Sequence, residues 1–321
     1  MHVLITGGTG TIGVRLVDHL IEHSHLVTVV SRQKYKPANL PAKINFAQWD
    51  GLTAEGWGHL LEDVDAVVNL AGAGVADEKW TPQRKKEILE SRVNAGKAVT
   101  EAFQKATNKP AVLIQASAVG YYGAAGDQVL TESSGPGRDY LAQVCVAWED
   151  SSKAVEAMGV RRVIIRTGTA VLDMAGGALP RMLLPFNFGV GGPLGSGRQW
   201  FSWIHHWDEV DAIRFLLENE QASGPINLTA PNPVRNRTFA KAIGKVMKRP
   251  AFVPTPAFAI KLLFGEMTTV VVDGQRVVPK RLQELGYEFK FPTAPEALAD
   301  LLGKTPQDRP KTYVMPTQAA A

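Results

Sequence analysis

Thr6-Gly7-Gly8-Thr9-Gly10-Thr11-Ile12-Gly13 is the stretch on which the fold turns. An apolar run, residues 3–6, precedes it, and an amphipathic stretch, residues 12–22, follows. Glycines 7, 10 and 13 have the spacing G-x-x-G-x-x-G. A glycine triplet alone is weak, but a strand before it and a helix after it are the context in which such a loop holds a dinucleotide. Gly7 permits a tight turn. Gly10 lets the backbone approach a pyrophosphate, and Gly13 lets the helix pack close to the sheet. The start of the helix, from Thr11 and Ile12, then offers free N–H groups and a positive dipole end to the phosphates.

Working outward, strand-like and helix-like runs alternate. Residues 27–31, 44–47, 66–70, 111–116 and 162–166 read as strands, and residues 56–62 as a short helix. Residues 82–105 read as a long helix with Pro82 in its first turn, and residues 140–158 as another. Near-continuous apolar strands alternating with helices predict a parallel sheet covered on both faces. The fold class is therefore α/β: a Rossmann-type, doubly wound parallel sheet. After Thr167 the texture turns Gly- and Pro-rich up to Gly197. A helix (208–217), a last main strand (226–229) and helices at 236–247, 257–264 and 295–302 follow, with a Val-rich run at 269–272. The expected division is 1–168 plus 205–230 for the dinucleotide domain. A smaller α+β domain on the substrate side is assembled from 169–204 plus 231–303, and 304–321 forms a poorly ordered tail.

The bulk properties are those of an ordinary globular protein. The chain has 321 residues, 45% of them hydrophobic, and a net charge of +4. No Lys/Arg block stands out, so nucleic acid is not an expected partner. No run of about 18 apolar residues predicts a membrane span. The single cysteine, Cys145, excludes an internal disulfide and fits a reducing, cytoplasmic setting. It reads as a core residue.

The second strand decides between NAD and NADP. NAD binders usually carry an acid about 20 residues after the loop to hold the ribose hydroxyls. Here the strand ends Val30-Ser31-Arg32-Gln33-Lys34, with no carboxylate. Arg32 offers a planar fork suited to a 2′-phosphate, with Ser31 beside it. The expected cofactor is NADP(H). Asp50 is placed either to accept from an adenine amino group or to close a turn. Asn69-Leu70-Ala71-Gly72 ends the next strand with residues small enough for a cofactor to cross.

These stretches, with Ser117 after the following strand, resemble an extended short-chain dehydrogenase/reductase. The chain is more closely similar to the subgroup called epimerase family proteins. That likeness rests on Val30-Ser31-Arg32, Asn69 to Gly72, Lys86-Glu87-Ile88 with Ser91-Arg92, and the Gly-rich segment 189–197 leading to Trp203-Ile204-His205. Arg249-Pro250, the stretch from Pro254 to Pro279, and Gly286-Tyr287 extend it to about residue 303. The resemblance implies NADP(H) contacts at Ser31, Arg32, Leu70 and Ala71, and suggests Glu87 and Arg92.

The catalytic pattern of that superfamily is broken here. Its members use a Tyr with a Lys four residues on, plus a Ser that hydrogen-bonds the substrate. Ser117 fills the serine position. Tyr140, however, is followed four residues later by Val144; if Glu149 sets the register, Leu141 and Cys145 fill the two places. Lys153 is too far along. Tyr121 and Tyr122 follow Ser117 closely and are candidates for the same cleft. Arg181 and Arg198, in the segment expected to cover the cleft, are candidates for a substrate phosphate or carboxylate. Adjacent His205 and His206 seldom chelate one ion, so no metal is expected. Two readings stay open: an oxidoreductase or epimerase acting on a small carbonyl or sugar-like substrate, and a protein that reads NADP(H) without turnover. The oligomeric state is open too, a homodimer being one option.

Overall fold

The computed structural model describes residues 1–256, 265–269 and 273–303. The proposed helix at 257–264, residues 270–272 of the Val-rich run, and the tail lie outside the described residues. Seven parallel strands form the main sheet. In chain order they are β1 (His2–Thr6), β2 (Leu26–Ser31), β3 (Asn45–Gln48), β4 (Ala66–Asn69), β5 (Val112–Ala118), β7 (Arg161–Thr167) and β11 (Gly224–Leu228). Their spatial order is β3-β2-β1-β4-β5-β7-β11. The order reverses between β1 and β4, which opens a crevice at their carboxyl ends.

Both faces are covered because alternate strand residues point to opposite sides. Val3, Ile5, Val29, Val68 and Ile114 meet Leu16, Val17 and Leu20 of α1 (Thr11–Glu22) and Val210, Ile213 and Leu216 of α5 (His206–Glu218). On the other side Leu4, Val67 and Leu113 meet Ala95, Val99 and Phe103 of α2 (Pro82–Lys105). Each fully buried Val, Leu or Phe contributes about 1.5–3 kcal/mol relative to exposure. Among the described residues no helix is long and apolar enough to cross a membrane.

Helix α2 starts where the proline signal puts it, with the Thr81 hydroxyl accepting from the Arg84 N–H at 3.1 Å. The helix expected over 140–158 is instead two pieces, α3 (Tyr140–Asp150) and a 3-10 segment, Lys153–Met158. Ser151 interrupts it. That serine presses on α2 at Gly96, where a Cβ would stand 1.8 Å from its Oγ. Its carbonyl accepts from Thr100 at 3.1 Å.

A third apolar cluster lies beyond the sheet. It joins Leu179, Leu183 and Phe186 of α4 (Leu179–Asn187), Phe239 and Ile243 of α6 (Asn236–Met247), and Ala297 and Leu298 of α8 (Ala294–Leu301). Short pairs accompany it: β8 (Ala170–Leu172) with β10 (Trp203–His205), and β9 (Trp200–Phe201) with β12 (Val234–Arg235). Between the main sheet and the final segment, β6 (Val129–Leu130) pairs with β13 (Arg276–Val277), just before the short helix α7 (Lys280–Glu284).

The cap of α5 is His205, its Nδ1 accepting from the Trp207 N–H at 3.0 Å. Asp208 sits inside the first turn and accepts from the backbone of Lys290 and Phe291, at 2.8 and 3.0 Å.

Candidate functional site

The glycine loop makes the floor of the crevice. Gly7 has φ +73°, and a Cβ on it would stand 2.8 Å from the Ala71 nitrogen. A Cβ on Gly13 would stand 2.3 Å from the Gly7 oxygen, so α1 is pressed onto the loop. Gly10 is the N-cap of α1 and supplies no side chain. The first-turn N–H groups at Thr11 and Ile12 therefore lack both helical and side-chain acceptors. Beneath the loop runs a buried polar ladder. Thr6 Oγ1 donates to Asn69 Oδ1 at 2.6 Å, and Asn69 Nδ2 donates to Gln115 Oε1 at 2.9 Å. It ties the ends of β1 and β4 to the middle of β5 in register, and Gln115 is not among the residues the sequence singled out.

Ser31 ends β2 and is buried, with its hydroxyl 3.5 Å from that of Thr9 in the loop. Arg32 is exposed and lies along Gly51, where a Cβ would stand 3.1 Å from Arg32 Cδ. Asp50 is committed to its own turn: it accepts from the Leu52 and Thr53 N–H groups at 2.7 and 2.9 Å. Leu70 and Ala71 follow β4 opposite the loop, and Gly72 touches Arg92. Arg92 is buried on α2. Its Nη1 donates to the Ala73 and Ile88 carbonyls, both at 2.9 Å, and its guanidinium lies 4.9 Å from the Trp148 ring. Burial holds its pKa below the ordinary value. Glu87 is half-exposed and accepts from Arg84 at 2.7 Å.

Ser117 belongs to a buried web. Its hydroxyl donates to Glu149 Oε1 at 2.7 Å. Arg166, its register partner on β7, donates to both oxygens of the same carboxylate at 2.8 and 2.9 Å. Arg166 Nη1 also donates to Tyr122 Oη at 3.1 Å, and Tyr122 in turn donates to Asn227 Oδ1 at 2.7 Å. Burial pushes Tyr122 up to about 12. The Tyr121 ring lies under the Arg166 guanidinium, 3.4 Å from centroid to Cζ. Leu141 and Cys145 flank Gly120 beside this web. Cys145 is pushed up to about 12, chiefly by burial. Tyr140 donates its hydroxyl to the Lys85 carbonyl at 2.7 Å, on another side of α3.

Ser117, Tyr121 and Tyr122 are thus brought together, but around Arg166 and Glu149, whose bridging role had not been foreseen. A charged residue closing the apolar run Val163-Ile164-Ile165 was the available signal. Arg181 and Arg198 are exposed and engaged separately. Arg181 donates to the Ala76 carbonyl at 3.1 Å, and the Arg198 carbonyl accepts from Arg235. The segment after β8 reaches over the start of α1. There Asp173 binds Arg15 through both oxygens at 2.9 Å, and Gly176 comes to Thr11.

Comparison with known proteins agrees with this arrangement. The family model described as the NAD dependent epimerase/dehydratase family matches residues 3–229, and a domain of unknown function (DUF1731) matches residues 255–301. An Arabidopsis thaliana protein, "Epimerase family protein SDR39U1 homolog, chloroplastic", is 43% identical over 94% of this chain and 87% of its own length. "Epimerase family protein SAR0825" of Staphylococcus aureus is 40% identical over 94% of this chain and 99% of its own. The crystal structure of human epimerase family protein SDR39U1 with NADPH superposes with a TM-score of 0.87. It is 33% identical, over 95% of this chain and 100% of that one. A glycine-floored crevice at the switch point of a seven-stranded sheet, matched by relatives this similar over most of their length, places the chain in the NAD-dependent epimerase/dehydratase family, among the epimerase family proteins.

Proposed function

We propose that this chain binds NADP(H) in the crevice and that any chemistry there proceeds without the serine–tyrosine–lysine relay of the short-chain dehydrogenase/reductase superfamily. The observation that carries the first half is the floor: the Cβ-free approaches at Gly7 and Gly13 and the uncapped start of α1. They suit a pyrophosphate, with backbone amides as donors. Ser31 and Arg32 take the 2′-phosphate. Arg92, whose hydrogen bonds go to carbonyls and which has no carboxylate partner among the described residues, adds positive charge beside the crossing chain at Gly72. The human relative crystallised with NADPH supports the choice of cofactor. When bound, the nicotinamide supplies or takes a hydride. Residues 1–168 with 205–230 hold the cofactor, and 169–204 with 231–303 shape the substrate side.

Two readings divide on turnover. A reductase or epimerase acting on a carbonyl or sugar-like substrate is supported by the family and by the polar cluster of Ser117, Tyr121 and Tyr122 at the end of β5. A protein that reads NADP(H) without turnover is supported by the Ser117 proton, which is given to Glu149. In that arrangement Ser117 keeps only lone pairs, so it accepts from a substrate hydroxyl but does not donate to a carbonyl.

Arg32→Ala is expected to weaken NADPH about tenfold or more in a fluorescence titration, and NADH little. Equal weakening of both sinks the 2′-phosphate assignment. NADPH consumption over a panel of carbonyls, together with detection of epimerised product from nucleotide sugars in the presence of NADP+, separates the two readings. Either turnover, dropping in Ser117→Ala, supports the enzyme, and tight binding with neither supports the reader.

A further inference from the structure

Away from the crevice, α1 and α5 bring three metal-capable side chains together. His19 and His23 stand four residues apart on α1 and at its C-cap, hence on one helical face. Asp211 faces them from α5. One ligand atom from each lies within 4.8 Å of the other two. His19 Nε2 and Asp211 Oδ1 are 2.9 Å apart. Two donors on one tetrahedral zinc, bound at about 2.0–2.1 Å, stand about 3.3 Å apart. Exchanging the shared proton for an ion therefore opens the pair by less than about half an ångström.

His23 is what separates this cluster from a plain interhelical hydrogen bond. Its Nδ1 lies 2.8 Å from the His19 carbonyl. A carbonyl only accepts, so Nδ1 carries the proton and Nε2 keeps its lone pair. An imidazole steadied by a backbone carbonyl at one nitrogen, with the other free to bind, is the usual outer-shell arrangement of a metal-binding histidine. The His19 and His23 rings are 4.3 Å apart. His19 and Asp211 are buried while His23 is exposed, which gives an ion a preformed base and an entry from solvent. The last-turn carbonyls of α1 add negative potential. Arg214 opposes a cation, since it donates to Asp211 Oδ1 at 2.8 Å, but it is also anchored to Glu218 at 2.7 Å.

We propose that His19, His23 and Asp211 form a zinc-class divalent-metal site that ties α1 to α5, with water completing the coordination. Two imidazoles and one carboxylate select zinc or its transition-metal neighbours over calcium or magnesium. The expectation of no metal had rested on His205 and His206; His205 is committed to capping α5, and different histidines meet in the folded chain. The proposal is independent of the cofactor reading.

The test uses tag-free, chelator-stripped, full-length protein titrated with Zn2+ by calorimetry, and with Co2+ by visible absorption. The expected result is one equivalent of Zn2+ bound at micromolar Kd or tighter, a Tm that rises with Zn2+, and intense d–d bands with Co2+. His23→Ala is a surface change that leaves folding intact. It should weaken Zn2+ by about tenfold or more and abolish the Tm rise. His19→Ala should do the same, and if it fails to fold, His23→Gln stands in. The absence of stoichiometric binding, or an affinity unchanged in His23→Ala, overturns the site.

Discussion

Glu209 is a carboxyl with almost no polar company. It is fully buried on α5, and Oε1 accepts from Thr167 Oγ1 at 2.7 Å. Oε2 has no hydrogen-bond partner among the described residues. Burial pushes the group up to about 8, so it stands as the neutral acid at pH 7. Its folded pKa lies above the unfolded value of about 4.3. The stability it contributes is thus complete below that value and falls as pH rises toward 8. Glu209→Gln removes the ionisation and nearly keeps the shape. In denaturant titrations the wild type should lose stability relative to Glu209→Gln across this window, by a few kcal/mol in all at about 1.4 kcal/mol per pH unit. A difference that stays flat from pH 5 to 9 would show that Glu209 ionises normally. Single residues were legible where their role is local. Gly7 and Gly13 declare themselves by neighbours in the chain. Ser117 does not, because its proton goes to a carboxylate 32 positions away, and that carboxylate is held by an arginine reached only through strand pairing.

At the scale of elements, α1 owes its position to a missing methyl. Gly13→Ala would put a Cβ at 2.3 Å from the Gly7 oxygen and 2.6 Å from Gly8 Cα. Overpacking of this kind costs about 1–3 kcal/mol and pushes the helix start off the loop. The expected outcome is a lowered Tm together with NADPH affinity reduced about tenfold or more. Normal affinity would mean that the phosphates do not rest on this turn. Helices with proline or amphipathic signals were readable to within a residue or two, α2 and α6 among them. Helix α4 was hidden because Pro180 and Pro185 bracket an apolar run that reads as loop. The break at Ser151 was hidden because the residues it meets, Gly96 and Thr100, sit on a different helix. Strands of two or three residues, such as β6, β9 and β13, are too short to carry a periodic signal and exist only through their partners.

For the whole molecule, the parallel sheet and its covering on both faces followed from alternation of strand and helix. The order β3-β2-β1-β4-β5-β7-β11 is not fixed by that alternation; it is set by which strands pair in the folded chain. What the order could not convey is how firmly the late chain is sewn to the early sheet. The Ser202 hydroxyl accepts from the Val277 N–H at 3.0 Å and donates to the Gln275 carbonyl at 2.7 Å. Glu132 accepts from the backbone of both Asn227 and Arg281, at 3.1 and 3.2 Å.

Asp208 makes the same dependence chemical. Its carboxyl lies in the interior, pushed up to about 6 by burial, and the amides of Lys290 and Phe291 are what make it tolerable there. A fragment that stopped short of them would strand an acid inside apolar packing on the very helix that buttresses α1. The part of the chain that carries the glycine loop and the main sheet is therefore not a modular cassette. Grafting it onto another protein would require either carrying residues 290–291 along or replacing the acid with something that asks for no donors.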